Sequence, residues 1–177
     1  MKRIVTGFED SGRAVILREG SPARVITFNS MPGLVFEELC ATESRSQQSE
    51  DDSPPDLQSL VPGPGGTRFR IVTLPPESIE SARALLQPGA LKAAATELAE
   101  KLPGFPIEVD SLDPAMHVTQ TIDYGIVLSG EVTLELDSGE STTMQAGDCV
   151  IQQATKHAWR NRGAEPCRIA FIMIGLD

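Results

Sequence analysis

The sequence predicts an all-β fold, and three features lead to this prediction. Short apolar runs separated by turn-forming residues occur in the first 41 residues and again after residue 116. In the second region the turns Ser129-Gly130 and Ala146-Gly147-Asp148 separate closely spaced runs. From Glu131 to Asp137 apolar and polar side chains alternate, as expected of a sheet with one buried face. Short antiparallel strands in this number usually close into a barrel or sandwich, which leaves few exposed edges.

Composition divides the chain into three segments of one structural domain. Residues 1–75 predict an N-terminal β extension, and the four short strands of its first 41 residues suit an extra sheet layered on the rest. Within it, residues 42–67 are rich in Ser, Glu, Asp, Pro and Gly, which favours a mobile acidic loop. Residues 76–104 predict a helical insert, because Ala and Leu recur there at helical spacing. Residues 105–177 predict the barrel core.

Charge and termini narrow the classes of function. The formal net charge is −10, and such a surface repels nucleic-acid phosphates and anionic lipid head groups. We therefore expect neither a nucleic-acid nor a membrane partner. No apolar run reaches the roughly 20 residues of a bilayer span. The N-terminus lacks the apolar core of a secretion signal, so a cytoplasmic protein is expected.

Both histidines of the chain lie in the predicted barrel core. One is in a predicted strand over residues 116–128, and the other is in a predicted strand over residues 157–161. Alternation along the first strand places four side chains on one face: His117, Thr119, Thr121 and Asp123. In the second strand His157, Trp159 and Asn161 share a face. If both faces turn inward, two imidazoles and a carboxylate converge inside the barrel.

These positions resemble the two motifs of the cupin superfamily. The first motif places His-x-His ahead of a glutamate and a glycine, and the corresponding residues here are His117, Thr119, Asp123 and Gly130. The second motif corresponds to Gly147, Gln152-Gln153-Ala154, His157 and Asn161, with one residue fewer after the glycine. The sequences Thr121-Ile122-Asp123-Tyr124 and His157-Ala158-Trp159-Arg160-Asn161 look like those of small single-domain cupins. Some members of that branch are described as oxidoreductases that accompany natural-product biosynthesis.

The resemblance implies a double-stranded β-helix barrel (a jelly roll), which would carry the N-terminal β extension and the short helical insert. It also implies a homodimer and a small-molecule substrate or ligand. A metal site would use His117, Asp123 and His157 to hold one divalent ion such as Fe, Zn, Mn or Ni. Thr119 stands where the family has a second histidine, and Asp123 stands where it has glutamate. The remaining two imidazoles and one carboxylate match the ligand set of open non-haem iron sites.

A site without a metal is equally open. In that version Asp123 orients a histidine, which acts as a general base near neutral pH. His117, Asp123 and His157 are the predicted catalytic residues in both versions. The predicted substrate-binding residues around them are Thr119, Tyr124, Gln152 and Trp159.

Three classes of function fit these observations. The first is an enzyme that acts on a small carbonyl-bearing or aromatic metabolite inside the barrel. It would work by metal-assisted oxidation, or by a proton transfer that isomerises or dehydrates the substrate. The second is a non-catalytic cupin that binds a small ligand at a degenerate metal site. The third is a protein that binds a partner through the acidic segment Glu50–Asp56.

Overall fold

The protein folds mainly into antiparallel β-strands, which confirms the all-β prediction. The computed structural model describes residues 1–22, 24–43, 59–78, 83, 86–106, 113 and 115–177. The strands are β1 (Arg3–Phe8), β2 (Ala14–Gly20), β3 (Arg24–Thr27), β4 (Val35–Thr42), β5 (Thr67–Leu74), β6 (Thr121–Ser129), β7 (Glu131–Leu136), β8 (Ser141–Gln145), β9 (Cys149–Gln153), β10 (His157–Arg160) and β11 (Cys167–Gly175), with helix α1 (Ala90–Lys101) between β5 and β6. No helix in the described part of the chain has the length and apolar character needed to cross a membrane.

Two sheets make up the jelly roll. The larger has six strands in the order β3-β4-β5-β11-β6-β9, and the smaller has three in the order β10-β7-β8. The core contains side chains of both sheets, and its buried members include Val72, Val127, Val132, Met144, Cys167, Ile169, Phe171 and Met173. Burial of these apolar groups is the main favourable term that holds the sheets together.

The N-terminal strands correct one expectation. Only β1 and β2 form a separate sheet, whereas β3, β4 and β5 belong to the six-stranded sheet. Strand β5 pairs with β11 from Thr67 opposite Ile174 to Leu74 opposite Cys167. An extra layer was wrongly expected for β3 and β4, because strand spacing along the chain does not reveal which distant strand each one pairs with.

The predicted acidic loop at 42–67 is described only in part. Residues 44–58, which include the segment Glu50–Asp56, lie outside the described residues. Residues 59–66 are packed against the body of the protein, since Leu60 is fully buried. The Leu60 amide also donates to the Pro103 carbonyl at 2.7 Å. This second part therefore contacts the core through Leu60, and the mobility of the loop stays a prediction.

Helix α1 confirms the second half of the predicted helical insert. The first half, around residues 79–86, lies largely outside the described residues. Ala94 and Leu102 are buried, so the apolar stripe of α1 faces the barrel. Glu97 on the same helix accepts hydrogen bonds from the backbone amides of Asn29 and Ser30, each at 2.8 Å. These contacts tie α1 to the loop between β3 and β4.

The outer face of the larger sheet carries a row of apolar side chains. Phe69, Ile172, Tyr124 and Ile151 lie opposite one another on β5, β11, β6 and β9. Phe69, Tyr124 and Ile151 are exposed. An apolar sheet face of this kind is often covered by another protein surface. The expected homodimer stays a prediction, since a single chain does not test it.

Two glycines of the barrel predict different costs of substitution. Gly130 and Gly147 both have positive φ angles, 75° and 96° respectively. A Cβ atom on Gly130 would lie 2.7 Å from the Pro166 carbonyl oxygen, whereas one on Gly147 would meet no atom within 4 Å. We expect Gly147→Ala to lower the free energy of unfolding by about 1 kcal/mol and Gly130→Ala by about 3 kcal/mol or more, because only the second adds a backbone clash. Urea denaturation measures both, and equal losses would contradict this account.

Candidate functional site

A cavity of about 420 Å³ lies inside the barrel and beneath helix α1. Most of its wall is apolar, and the larger contributors include Leu34, Phe36, Leu74, Leu98, Phe105, Trp159, Phe171 and Met173. Polar groups also reach it, among them Arg70, His117, Thr119, Asp123 and His157. A mostly apolar cavity with a few convergent polar side chains is typical of a small-molecule site.

His157 is held in one orientation and one tautomer. It lies on β10 and is only 2% exposed. Its Nδ1 is 2.9 Å from the Thr155 carbonyl oxygen. Because a carbonyl can only accept, the proton is assigned to Nδ1 and the lone pair to Nε2. The amide nitrogen of Gln152 donates to the same Thr155 carbonyl at 3.0 Å and so holds that acceptor in place, whereas its 3.1 Å approach to the protonated Nδ1 joins two donors and is not a hydrogen bond.

His117 has the same arrangement. Its backbone forms two reciprocal hydrogen bonds of 2.9 Å with the backbone of His157. Its Nδ1 is 2.8 Å from the Ala115 carbonyl oxygen, which again assigns the proton to Nδ1. The two imidazole centroids are 4.5 Å apart, with an angle of 51° between the planes. Each ring therefore retains Nε2 as its unprotonated nitrogen.

Burial keeps both imidazoles neutral. Burial, together with the nearby His117, lowers the pKa of His157 to about 4, because two imidazolium charges would repel. Burial also lowers the pKa of His117 from its ordinary value. At neutral pH the pair consists of two uncharged rings, which can accept protons or bind a metal.

Asp123 lies in the same cavity, on β6, and is 5% exposed. The hydroxyls of Thr121 and Thr119 lie against its carboxyl group. Thr121 Oγ1 donates to Thr119 Oγ1 at 2.8 Å, which leaves the Thr119 proton for the carboxyl group. Its Oδ1 atom is buried without a hydrogen-bond partner. Burial raises the pKa of Asp123, while these hydrogen bonds and the charge of Arg70 oppose the increase.

Comparison with known proteins fits this architecture. The cupin domain family (Cupin_2) matches residues 107–174. Two proteins of Diaporthe leptostromiformis, phomopsin biosynthesis cluster proteins C′ and D, are each 30% identical to this chain over 166 residues. Each match covers 90% of this chain and 70% of the relative. The chain belongs to the cupin superfamily.

Two further cupins show lower or shorter similarity. The cupin-domain-containing oxidoreductase virC of Hypocrea virens is 44% identical over 62 residues, which is 33% of this chain and 32% of that protein. The cupin domain of Schizosaccharomyces pombe Cnp3 is 9% identical, with a TM-score of 0.48, and the match covers 98% of this chain and 87% of that one. The predicted family is thus confirmed by the domain match and the Diaporthe relatives.

The structure of this cupin brings most of the predicted site residues together. His117, Thr119, Asp123, His157 and Trp159 all line the cavity. The Trp159 ring centroid is 5.6 Å from that of His157, and the two rings meet edge to face. The predicted strand over residues 116–128 is shorter than expected, since β6 begins at Thr121 and His117 forms only an isolated bridge with His157.

Two predicted substrate-binding residues lie elsewhere. Tyr124 is 43% exposed and lies on the outer face of β6. The alternation that turns Asp123 inward necessarily turns Tyr124 outward, so the structure does not bring Tyr124 into the site. Gln152 is buried behind His157, and its contacts with Thr155 and His157 indicate a positioning role.

The described residues do not form a metal centre with three protein ligands. Among the residues that the structure describes, no three His, Cys, Asp or Glu side chains are grouped closely enough to hold a metal ion. The two imidazoles have the tautomer that metal ligands need, since each donates Nδ1–H to a carbonyl. Asp123 does not complete the group. Metal binding by His117, Asp123 and His157 stays a prediction, and the positions of these three side chains do not add support to it.

Sequence reasoning missed Arg70, which is 2% exposed and lines the cavity. Its Nε lies 3.1 Å from Oε1 of Glu38, its neighbour across β4 and β5. A signal was present in the sequence of β5, where Arg68 and Arg70 occupy alternate positions of an otherwise apolar strand. Charged side chains on the inward face of a strand are costly unless they are paired, so they mark a special environment.

The lowered pKa of His157 predicts a pH-dependent stability. The unfolded chain takes up a proton near pH 6.5, whereas the folded chain does so only near pH 4. The stability that this difference gives is complete above pH 6.5 and declines as the pH falls towards 4. Between pH 6.5 and pH 4, the free energy of unfolding of wild type should fall by about 3 kcal/mol more than that of His157→Gln, which has no imidazole at this position to titrate. Urea denaturation of both proteins at several pH values measures the difference between their free energies of unfolding. A difference that does not change with pH would contradict the lowered pKa of His157.

Proposed function

We propose that this cupin is a small-molecule enzyme, which transfers a proton on a largely apolar, carbonyl-bearing substrate inside the barrel. The histidine pair is the observation that carries the proposal. Two neutral imidazoles lie 4.5 Å apart in the cavity wall, and the Nδ1 proton of each is held by a backbone carbonyl. A positioned, neutral imidazole is the commonest general base in enzymes.

The chemical step follows from this arrangement. The C–H bond next to the substrate carbonyl breaks, its proton moves to Nε2 of His157, and the bonding electrons move onto the carbonyl oxygen. If the imidazolium returns the proton to a different carbon, the substrate is isomerised. If the enolate expels a β-hydroxyl group, which leaves with that proton as water, the substrate is dehydrated. The two rings cannot both carry a proton at low cost, because their charges would lie close together.

The cavity and the relatives support this class of function. A volume of about 420 Å³ with aromatic walls suits a drug-sized apolar metabolite. The Diaporthe relatives are named as biosynthesis cluster proteins, and the Hypocrea relative is named as an oxidoreductase. These names favour a catalytic role in natural-product metabolism over a purely structural one. They do not specify the reaction of this chain.

A second candidate function is metal-assisted oxidation, which the names of the oxidoreductase relatives favour. Metal content separates it from proton transfer. We expect protein purified without a histidine tag to contain substoichiometric Fe, Zn, Mn and Ni by mass spectrometry, with no change in His117→Ala or His157→Ala, since no three ligands are grouped among the residues that the structure describes. One equivalent of a metal that disappears in both variants would favour the oxidation instead.

Deuterium exchange tests the proton transfer directly. The probe is 2-tetralone, a compact aromatic ketone with acidic protons next to its carbonyl. In deuterated buffer we expect wild type to accelerate deuterium incorporation at this carbon, followed by NMR. His157→Gln should lower the catalysed rate by about 10²-fold or more, as loss of a general base does.

The control is Trp159→Phe, which changes the cavity wall and keeps both imidazoles. It should alter the concentration dependence of the exchange more than its maximal rate. Exchange at the buffer rate in wild type, or equal rates in wild type and His157→Gln, would contradict the proposed function. Saturable binding of 2-tetralone without exchange would support the non-catalytic ligand-binding alternative.

A further inference from the structure

A second polar site faces the cavity from the larger sheet, and it is formed by Arg70 and Asp123. Both side chains line the cavity and are almost fully buried, with 2% and 5% exposure. Strand β11 lies between their strands, with Phe171 opposite Arg70 and Met173 opposite Asp123. A group placed between the guanidinium and the carboxyl would therefore rest on Phe171 and Met173, which also line the cavity.

Asp123 keeps an unused polar atom, and Arg70 is held opposite it by its own partners. Nε of Arg70 lies 3.1 Å from Oε1 of Glu38 in an ion pair. Another guanidinium nitrogen donates to the Leu60 carbonyl. On the other side, Oδ1 of Asp123 is buried without a partner. Buried polar atoms without partners are rare in folded proteins and frequently mark ligand sites.

The charges of the site select the kind of group that it binds. The Arg70 guanidinium attracts the carboxyl groups of Glu38 and Asp123. A second guanidinium, that of Arg68, acts on Arg70 and Glu38 as well, but it is paired with Glu43 and does not line the cavity. An anionic ligand group would add a third acidic group to this set. A neutral hydroxyl fits better, because its oxygen accepts from Arg70 and its proton is donated to Oδ1 of Asp123.

We propose that Arg70 and Asp123 form a subsite for a neutral hydroxyl or enol oxygen of an otherwise apolar, ring-containing substrate. The inference rests on the proposed function, because the enol is the protonated form of the enolate that the histidine pair would generate. Arg70 acts as a donor to the oxygen and Asp123 as the acceptor. Glu38 is a positioning residue, which holds Arg70 from the neighbouring strand.

Binding of matched naphthalenes tests the subsite without turnover. 2-Naphthol carries a planar hydroxyl like that of an enol, 2-methoxynaphthalene can only accept, and 2-naphthoate is an anion. Isothermal titration calorimetry should show that wild type binds 2-naphthol at least about tenfold more tightly than either other compound, because a hydrogen bond to a charged group is at stake. In Asp123→Asn this preference should fall below about threefold.

Asp113→Asn is the matched control. Asp113 also lines the cavity, but it pairs with Arg160 rather than Arg70. The preference for 2-naphthol should persist in this variant. Arg70→Lys keeps the charge next to Glu38 but loses the planar donor geometry, so it should weaken the binding of both 2-naphthol and 2-methoxynaphthalene, whose oxygens both accept from Arg70, and leave the ratio of their affinities largely unchanged. If Arg70→Lys fails to fold, Asp123→Asn alone decides.

Three results would overturn the subsite. They are equal affinities for 2-naphthol and 2-methoxynaphthalene in wild type, equal losses of preference in Asp123→Asn and Asp113→Asn, and tighter binding of 2-naphthoate. The last would make Arg70 an anion-binding residue. These outcomes leave the deuterium exchange by His157 intact, so the subsite and the proposed function fail separately.

Discussion

The pairing of β11 with two partners is the constraint on which the rest of the structure depends. This strand forms hydrogen bonds with β5 on one edge and with β6 on the other along most of its length. It places Arg70 and Asp123 on either side of one apolar strand, so that both face the same interior. Its inward side chains supply the floor of the cavity. A loss of this pairing would separate the N-terminal strands from the barrel and open the site.

The chemistry of the site depends on burial. Burial shifts the pKa of three side chains in the cavity towards the neutral form: those of His117 and His157 fall, and that of Asp123 rises. Apolar walls therefore do more than bind an apolar molecule. They also keep the imidazoles unprotonated at neutral pH and strengthen every interaction with the guanidinium of Arg70. The polar groups are few, and most of them are held in place by backbone carbonyls or neighbouring hydroxyls.

Two replacements distinguish this chain from the general cupin pattern. A threonine at position 119 cannot replace an imidazole as a metal ligand, and its hydroxyl instead forms a hydrogen bond with Thr121. The carboxyl group of Asp123 lies against the same two hydroxyls. The carboxyl is thus occupied on one side by threonines and faces Arg70 electrostatically on the other. A change in one ligand position and a shorter acid in another favour proton-transfer and hydrogen-bond chemistry at the same place in the barrel.

The strand-rich fold, the cupin family, and the convergence of His117, Asp123 and His157 on one cavity could be predicted from the sequence. These follow from local alternation and from motif spacing, which are visible along a single chain. Only the tertiary structure decided that β3–β5 join the main sheet, that Tyr124 faces outward and that Arg70 faces the same cavity as Asp123. The reason is physical: Arg70 and Asp123 are brought together by β11, which pairs with strands far from it in sequence. Such long-range register depends on the packing of the whole barrel rather than on any local pattern.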